Sequence, residues 1–166
     1  EVTERVIKVA TGAAMMTETE MEMIFESATT CVLSNHALSD LQHEVMQKIG
    51  PIDFDEAEMA YAAKINEQNP PGMRKVLQER LELSEEESMV PLRGGVLTAN
   101  DEDHVMTGST DVGDVSWITP ISMLITACWP TNVVAHSWGV VATGQTSIGH
   151  KGMLYAAQVM AGAAVE

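Results

Sequence analysis

The chain has 166 residues and a mass of 17.9 kDa, enough for one ordinary domain with a buried core or for two small pieces of a larger protein, and not for two complete domains. Nine basic residues against 24 acidic ones give a formal charge of −15, which argues against nucleic acid and anionic membrane surfaces, since both are bound through clustered Lys and Arg. Apolar residues at 45% and charged residues at 20% are the composition of a folded chain and not of a disordered one.

The first element predicted is a helix: Val2, Val6, Val9, Ala10 and Ala13 recur at spacings of three and four, and the run ends at Met15, Met16 and Thr17. Met21, Met23 and Phe25 then alternate with Glu20, Glu22 and Glu26, a period of two that predicts a half-exposed strand. Leu38, Leu41, Val45 and Ile49 predict a second helix, stopped by Gly50 and Pro51, with Lys48 in its last turn where the dipole favours a cation. Residues 53–66 read as a third helix with acidic residues in its first turn, stopped by the Asn-Pro-Pro-Gly run at 69–72. Leu77, Leu81 and Leu83 allow a short helix, and Ser84 with Glu85, Glu86 and Glu87 reads as a solvated loop or helix end. Beyond Thr107 the chain turns to Gly, Ser, Thr and Asp, then to a β-prone apolar run at 121–128. A turn at 130–132, a loop at 136–139 and an Ala- and Gly-rich helix from 148 to 165 complete the pattern. Strand, polar loop and packed helix in that order predict an α/β architecture, where sites gather beyond the carboxyl ends of strands.

The 12 methionines are expected to fill gaps in the core. Cys31 and Cys128 belong to no CxxC pair and are expected to be reduced and mostly buried. The longest apolar stretch, 118–129, falls short of the roughly 20 residues of a membrane-spanning helix, so a soluble chain is expected. With no basic segment leading into an apolar one, a cytoplasmic location is expected as well. The opening lies in the middle of an amphipathic pattern, as if an upstream half were absent.

No HxxxH, HExxH, Walker-type loop or GxSxG elbow occurs among the residues, so any site must be assembled from scattered positions. The densest polar cluster is residues 108–117. Its Asp111 and Asp114, with glycines that permit tight turns, either orient a metal-bound histidine or close a loop through hydrogen bonds. His136, beside Ser137 and Trp138, is either an imidazole ligand for Zn²⁺ or Mn²⁺ or a buried structural histidine. His150 opens the last helix, where the positive end of the dipole suits an anion-bearing substrate, or is simply an exposed helix start. Lys151 beside it is placed to contact a carboxylate.

Three separated runs, 108–117 (GSTDVGDVSW), 136–138 (HSW) and 147–154 (SIGHKGML), together resemble the carboxyl-terminal part of the aminobenzoyl-glutamate utilization protein B group. The segment at 14–20 (AMMTETE) and the turn at 33–35 (LSN) are similar too. That group falls among the metal-dependent amidohydrolases and exopeptidases that include aminoacylases and glutamate carboxypeptidases. The resemblance implies a zinc-exopeptidase-like α/β catalytic domain interrupted by a ferredoxin-like lid or dimerisation domain. Residues 1–30 would then be the end of the lid and 31–166 the C-terminal part of the catalytic domain.

It further implies hydrolysis of the amide bond of N-acyl or N-aroyl amino acids by two divalent ions, zinc or manganese, with His136 as the last metal ligand. Asn35 would bind the substrate carboxylate or oxyanion, and His150 would serve the substrate or support the site from behind. Asp111 falls in an acidic stretch of the family, although Thr110 stands where many relatives carry glutamate. The family's His-x-Asp motif, bridging aspartate and Glu-Glu pair all precede the lid and are absent, Glu85, Glu86 and Glu87 following the wrong segment, so the chain is expected to need the N-terminal half of the same protein and a homo- or hetero-oligomeric assembly. The alternative is a non-catalytic binding or dimerisation module, or a relic of the fold without metal.

Overall fold

A computed structural model describes residues 1–68, 72–80, 83–97 and 108–166. Its elements among these residues are helices: α1 (Val2–Met16), α2 (His36–Ile49), α3 (Glu56–Glu67), α4 (Gly72–Arg80), α5 (Glu85–Ser88), α6 (Val112–Ser116), α7 (Trp138–Gly144) and α8 (Ser147–Val165).

The α/β architecture with a ferredoxin-like lid is overturned, since no strand or sheet occurs among the described residues. Both predicted strands fail for the same physical reason. Alternation makes a strand only where a second backbone supplies the hydrogen-bond ladder. In the 121–128 run the inward side chains dock on helices instead. Ser122 Oγ donates to Gln42 Oε1 of α2 at 2.7 Å, Leu124 packs against the core between α2 and α8, and Thr126 Oγ1 donates to the Gly152 carbonyl of α8 at 3.2 Å. Residues 21–26 likewise form no strand, and Met23, Ile24 and Phe25 lie exposed.

The helices follow the predicted periodicity, and their ends are set by local chemistry. Asn35 caps α2 by accepting the Leu38 amide at 3.0 Å, and Gly50 ends it at φ 84°, a left-handed conformation that glycine adopts without strain. Asp55 and Glu58 form a reciprocal capping box at the start of α3, and Ser84 and Glu87 form another at α5, an exposed helical turn in keeping with the helix-end reading of that charge run. The stop at 69–71, Leu81 and His104 lie outside the described residues.

Two small cores organise the packing. Val45 of α2 meets Tyr155 and Val159 of α8, and Ala62 of α3 meets Leu92 and Ile148 of α8. Glycines let the backbones of α8 and its neighbours touch: a Cβ at Gly149 would lie 2.7 Å from the Gly144 carbonyl at the end of α7, and one at Gly152 would lie 2.5 Å from the Ala127 carbonyl.

The accessible surface is 12194 Å², against roughly 8,000 Å² for a compact monomer of this mass. Many large apolar side chains are uncovered. α1 buries none of its residues, and Trp117, Ile118, Ile125, Val141, Met153 and Leu154 are exposed. The methionines therefore do not chiefly fill the core: Met46 and Met59 pack against it, but Met15, Met16, Met23, Met89, Met123, Met153 and Met160 are exposed. Cys31 is exposed rather than buried, Cys128 is half-buried, and both are free thiols. None of the helices among the described residues is long and apolar enough to cross a membrane.

Candidate functional site

The polar run at 108–117 folds as the start and body of α6, and it grips the segment that leads into α2. Asp114 Oδ1 accepts the Thr30 amide at 2.9 Å and the Thr30 hydroxyl at 2.6 Å. Those two hydrogen bonds, the hydroxyl first, hold its carboxyl below the usual aspartate range. Ser116 Oγ accepts the Leu33 amide at 2.8 Å and donates to the Gly113 carbonyl at 2.5 Å, and the Trp117 indole N–H donates to the Cys31 carbonyl at 3.0 Å. Asp111 stands exposed at the N-terminus of α6, and its side chain makes no capping bond. Of the two readings for this run, the geometry shows the loop-closing hydrogen bonds, made by Asp114.

Gly113 is the contact point of that grip. A Cβ there would lie 2.0 Å from the Thr30 carbonyl oxygen, a backbone atom held by the Asp114 bonds. Gly113→Ala is therefore expected to force α6 off the segment and lower stability by about 1–3 kcal/mol, the usual range for overpacking. A melting curve that coincides with that of the parent protein would contradict this contact.

Asn35 lies at the other end of the gripped segment. Its amide N–H donates to the Ile121 carbonyl at 3.1 Å, and it lines an open depression of about 360 Å³ together with Leu33, Ser34 and residues 116–120. Of the residues singled out from the sequence, Asn35 lines this depression, and Asp111, Asp114, His136 and His150 do not.

His136 is exposed and takes φ 60°, a left-handed conformation that costs a non-glycine residue of order 1–2 kcal/mol. The loop around it carries three buried side-chain atoms with no hydrogen-bond partner among the described residues: Thr131 Oγ1, Asn132 Oδ1 and Ser137 Oγ. Buried polar groups are ordinarily paired, so strain and unmet polarity coincide in one loop. The reading of His136 as a buried structural histidine is not what the structure shows.

His150 is exposed in the first turn of α8, and its backbone N–H donates to the Thr146 carbonyl at 3.1 Å. Its neighbour Lys151 makes the carboxylate contact that its position allowed, with Glu58. Lys151 Nζ lies 2.7 Å from Glu58 Oε2, donates to the Asp53 carbonyl at 2.8 Å and sits 5.7 Å from the Phe54 ring centre. Glu58 is 5% exposed. Burial pushes its carboxyl up, but the hydrogen bonds from Lys151, Ser147 and the Asp55 amide, together with the Lys151 charge, outweigh that and leave it below the ordinary value of 4.5. The same bond raises the Lys151 ammonium above 10.5. Sequence reasoning missed this pair; the signal available was the capping-box spacing of Asp55 and Glu58.

No three His, Cys, Asp or Glu side chains converge closely enough among the described residues to hold an ion. Structural and catalytic centres use at least three protein ligands. These residues therefore do not make the two-ion centre that the resemblance implies, and His136 offers one nitrogen donor.

No family model and no solved structure matches the chain. The comparison with curated proteins bears out the resemblance carried by the three motifs, which points to the aminobenzoyl-glutamate utilization group. The chain is similar to a p-aminobenzoyl-glutamate hydrolase subunit of Escherichia coli (strain K12), with 33% identity over 171 aligned residues. The match covers 98% of this chain and 36% of that protein, so the chain spans about a third of the length of the relative it matches.

Proposed function

We propose that this chain is part of an amide hydrolase acting on N-acyl or N-aroyl amino acids, with p-aminobenzoyl-glutamate as the substrate to test first. The observation that carries the reading is the His136 loop, where an exposed imidazole is held in a strained backbone and which also carries three buried polar atoms with no partner among the described residues. The 33% identity to a protein named as part of a p-aminobenzoyl-glutamate hydrolase supplies the reaction class. The reaction adds water across the amide bond and gives p-aminobenzoate and glutamate.

In this reading His136 is one donor to a zinc or manganese pair whose other ligands are not among the described residues. Asn35 supplies an amide hydrogen bond to the substrate carboxylate or the developing oxyanion, and His150 faces the substrate from the start of α8. The chain divides near residue 30. Before it, α1 buries no residue; after it, Thr30, Cys31 and Leu33 dock on α6. The uncovered apolar surface, and the naming of the relative as one subunit of an enzyme, support assembly with another chain or another part of the same one.

The full-length protein, incubated with p-aminobenzoyl-glutamate and Mn²⁺ or Zn²⁺, is expected to release p-aminobenzoate, measured by chromatography. A folded full-length protein that cleaves neither this substrate nor other N-acyl amino acids under those conditions contradicts the reading and favours the binding module.

A further inference from the structure

The grip of α6 on residues 30–33 has a consequence for Asn35. The Asn35 side chain accepts the Leu38 amide with Oδ1, which orients the carboxamide with Nδ2 as its remaining donor end, and Asn35 lines the depression. The direction of that donor depends on where the backbone of residue 35 stands. Four hydrogen bonds hold the segment leading to it from positions 83 to 86 residues away in the chain: the Thr30 N–H and hydroxyl donate to Asp114, the Leu33 N–H donates to Ser116, and the Trp117 indole donates to the Cys31 carbonyl. The bond from Asn35 N–H to the Ile121 carbonyl closes the frame from the other side. Ser116 is 5% exposed and makes two hydrogen bonds, so it has little freedom to yield.

We propose that Asp114, Ser116 and Trp117 are positioning residues for Asn35, holding residues 30–35 so that its amide donor points at an oxygen of the bound amide substrate. The inference rests on the hydrolase reading of the preceding subsection. A donor preorganised toward charge that develops in the reaction acts on kcat, and a displacement of under an ångström is enough to weaken it.

A double-mutant cycle in the full-length protein, with p-aminobenzoyl-glutamate as substrate, tests it. Asn35→Ala is expected to lower kcat about 100-fold, the scale of losing one such donor. Ser116→Ala is expected to lower kcat about tenfold with KM changed less than about twofold. In the Asn35→Ala background the same substitution is expected to change kcat less than about twofold, because its route of action is gone. Trp117→Phe keeps an exposed ring and removes only the indole donor, so it folds independently of the Ser116 result and is expected to show a smaller loss with the same dependence on Asn35.

Losses that multiply in the double variants, or wild-type kcat in both Ser116→Ala and Trp117→Phe while Asn35→Ala is impaired, overturn the positioning role and leave the hydrolase reading standing. Absence of hydrolysis by the parent protein overturns the hydrolase reading itself, and the positioning role with it.

Discussion

Lys151→Met is expected to lower the melting temperature through Glu58, whose carboxylate would remain buried without its cation. The Ser147 hydroxyl and the Asp55 amide would then face a charge with 5% of its residue surface exposed, and the Glu58 carboxyl would titrate upward. Adding Glu58→Gln removes the stranded charge and is expected to recover part of the loss. Melting temperatures of the two variants that coincide would contradict this account.

The same pair sets a pH window. The folded carboxyl of Glu58 titrates below its ordinary 4.5, so its contribution is complete above that pH and fades as the pH falls through the lower folded value. Lys151 is raised above 10.5, so its contribution is complete below that pH and is lost as the pH rises through the higher folded value. Acid melting that is equally steep in wild type and Glu58→Gln would show that the carboxylate is not linked to folding.

His136→Gly is expected to separate stability from activity. Glycine takes φ 60° without the penalty that histidine bears there, so the variant is expected to melt at the same temperature or higher. Hydrolysis is expected to fall roughly 100-fold or more, the scale on which loss of a group at the reacting centre is felt. That combination marks a residue retained for chemistry at a cost in stability. A variant that loses stability in proportion to activity would instead mark His136 as part of the scaffold.

The helices α1 and α2 are legible from apolar residues at spacings of three and four, α2 with its stop at Gly50, while α3 is legible from its acidic first turn and α8 from its Ala- and Gly-rich composition. The strands were not. Met21, Met23 and Phe25 alternate with glutamates, but alternation states only that two faces differ; Ser122, Leu124 and Thr126 satisfy it by lying against α2 and α8. α6 and α7 escaped notice because their glycines, serines and threonines read as loop, although Gly113 and Gly139 are buried within them. Whether a cysteine or methionine is covered depends on what packs over it, which is why the expected burial of Cys31 and of the methionines as a group does not hold.

The candidate site was legible as three motifs and not as an arrangement. Asp114 stood out within its cluster, but its partner Thr30 is an ordinary turn residue 84 positions away. Nothing in the sequence marks His136 as left-handed, since the usual marker of that conformation is glycine. The Glu58–Lys151 pair spans 93 positions and depends on α3 and α8 meeting, which local pattern does not encode.

Chemical rescue addresses the role of His136 most directly. Because the ring is exposed, free imidazole can enter the space it leaves. Full-length His136→Gly, assayed on p-aminobenzoyl-glutamate, is expected to be nearly inactive and to regain activity as imidazole is added, while the parent protein is unaffected. Hydrolysis by His136→Gly at the parent rate, with no imidazole present, would contradict the account.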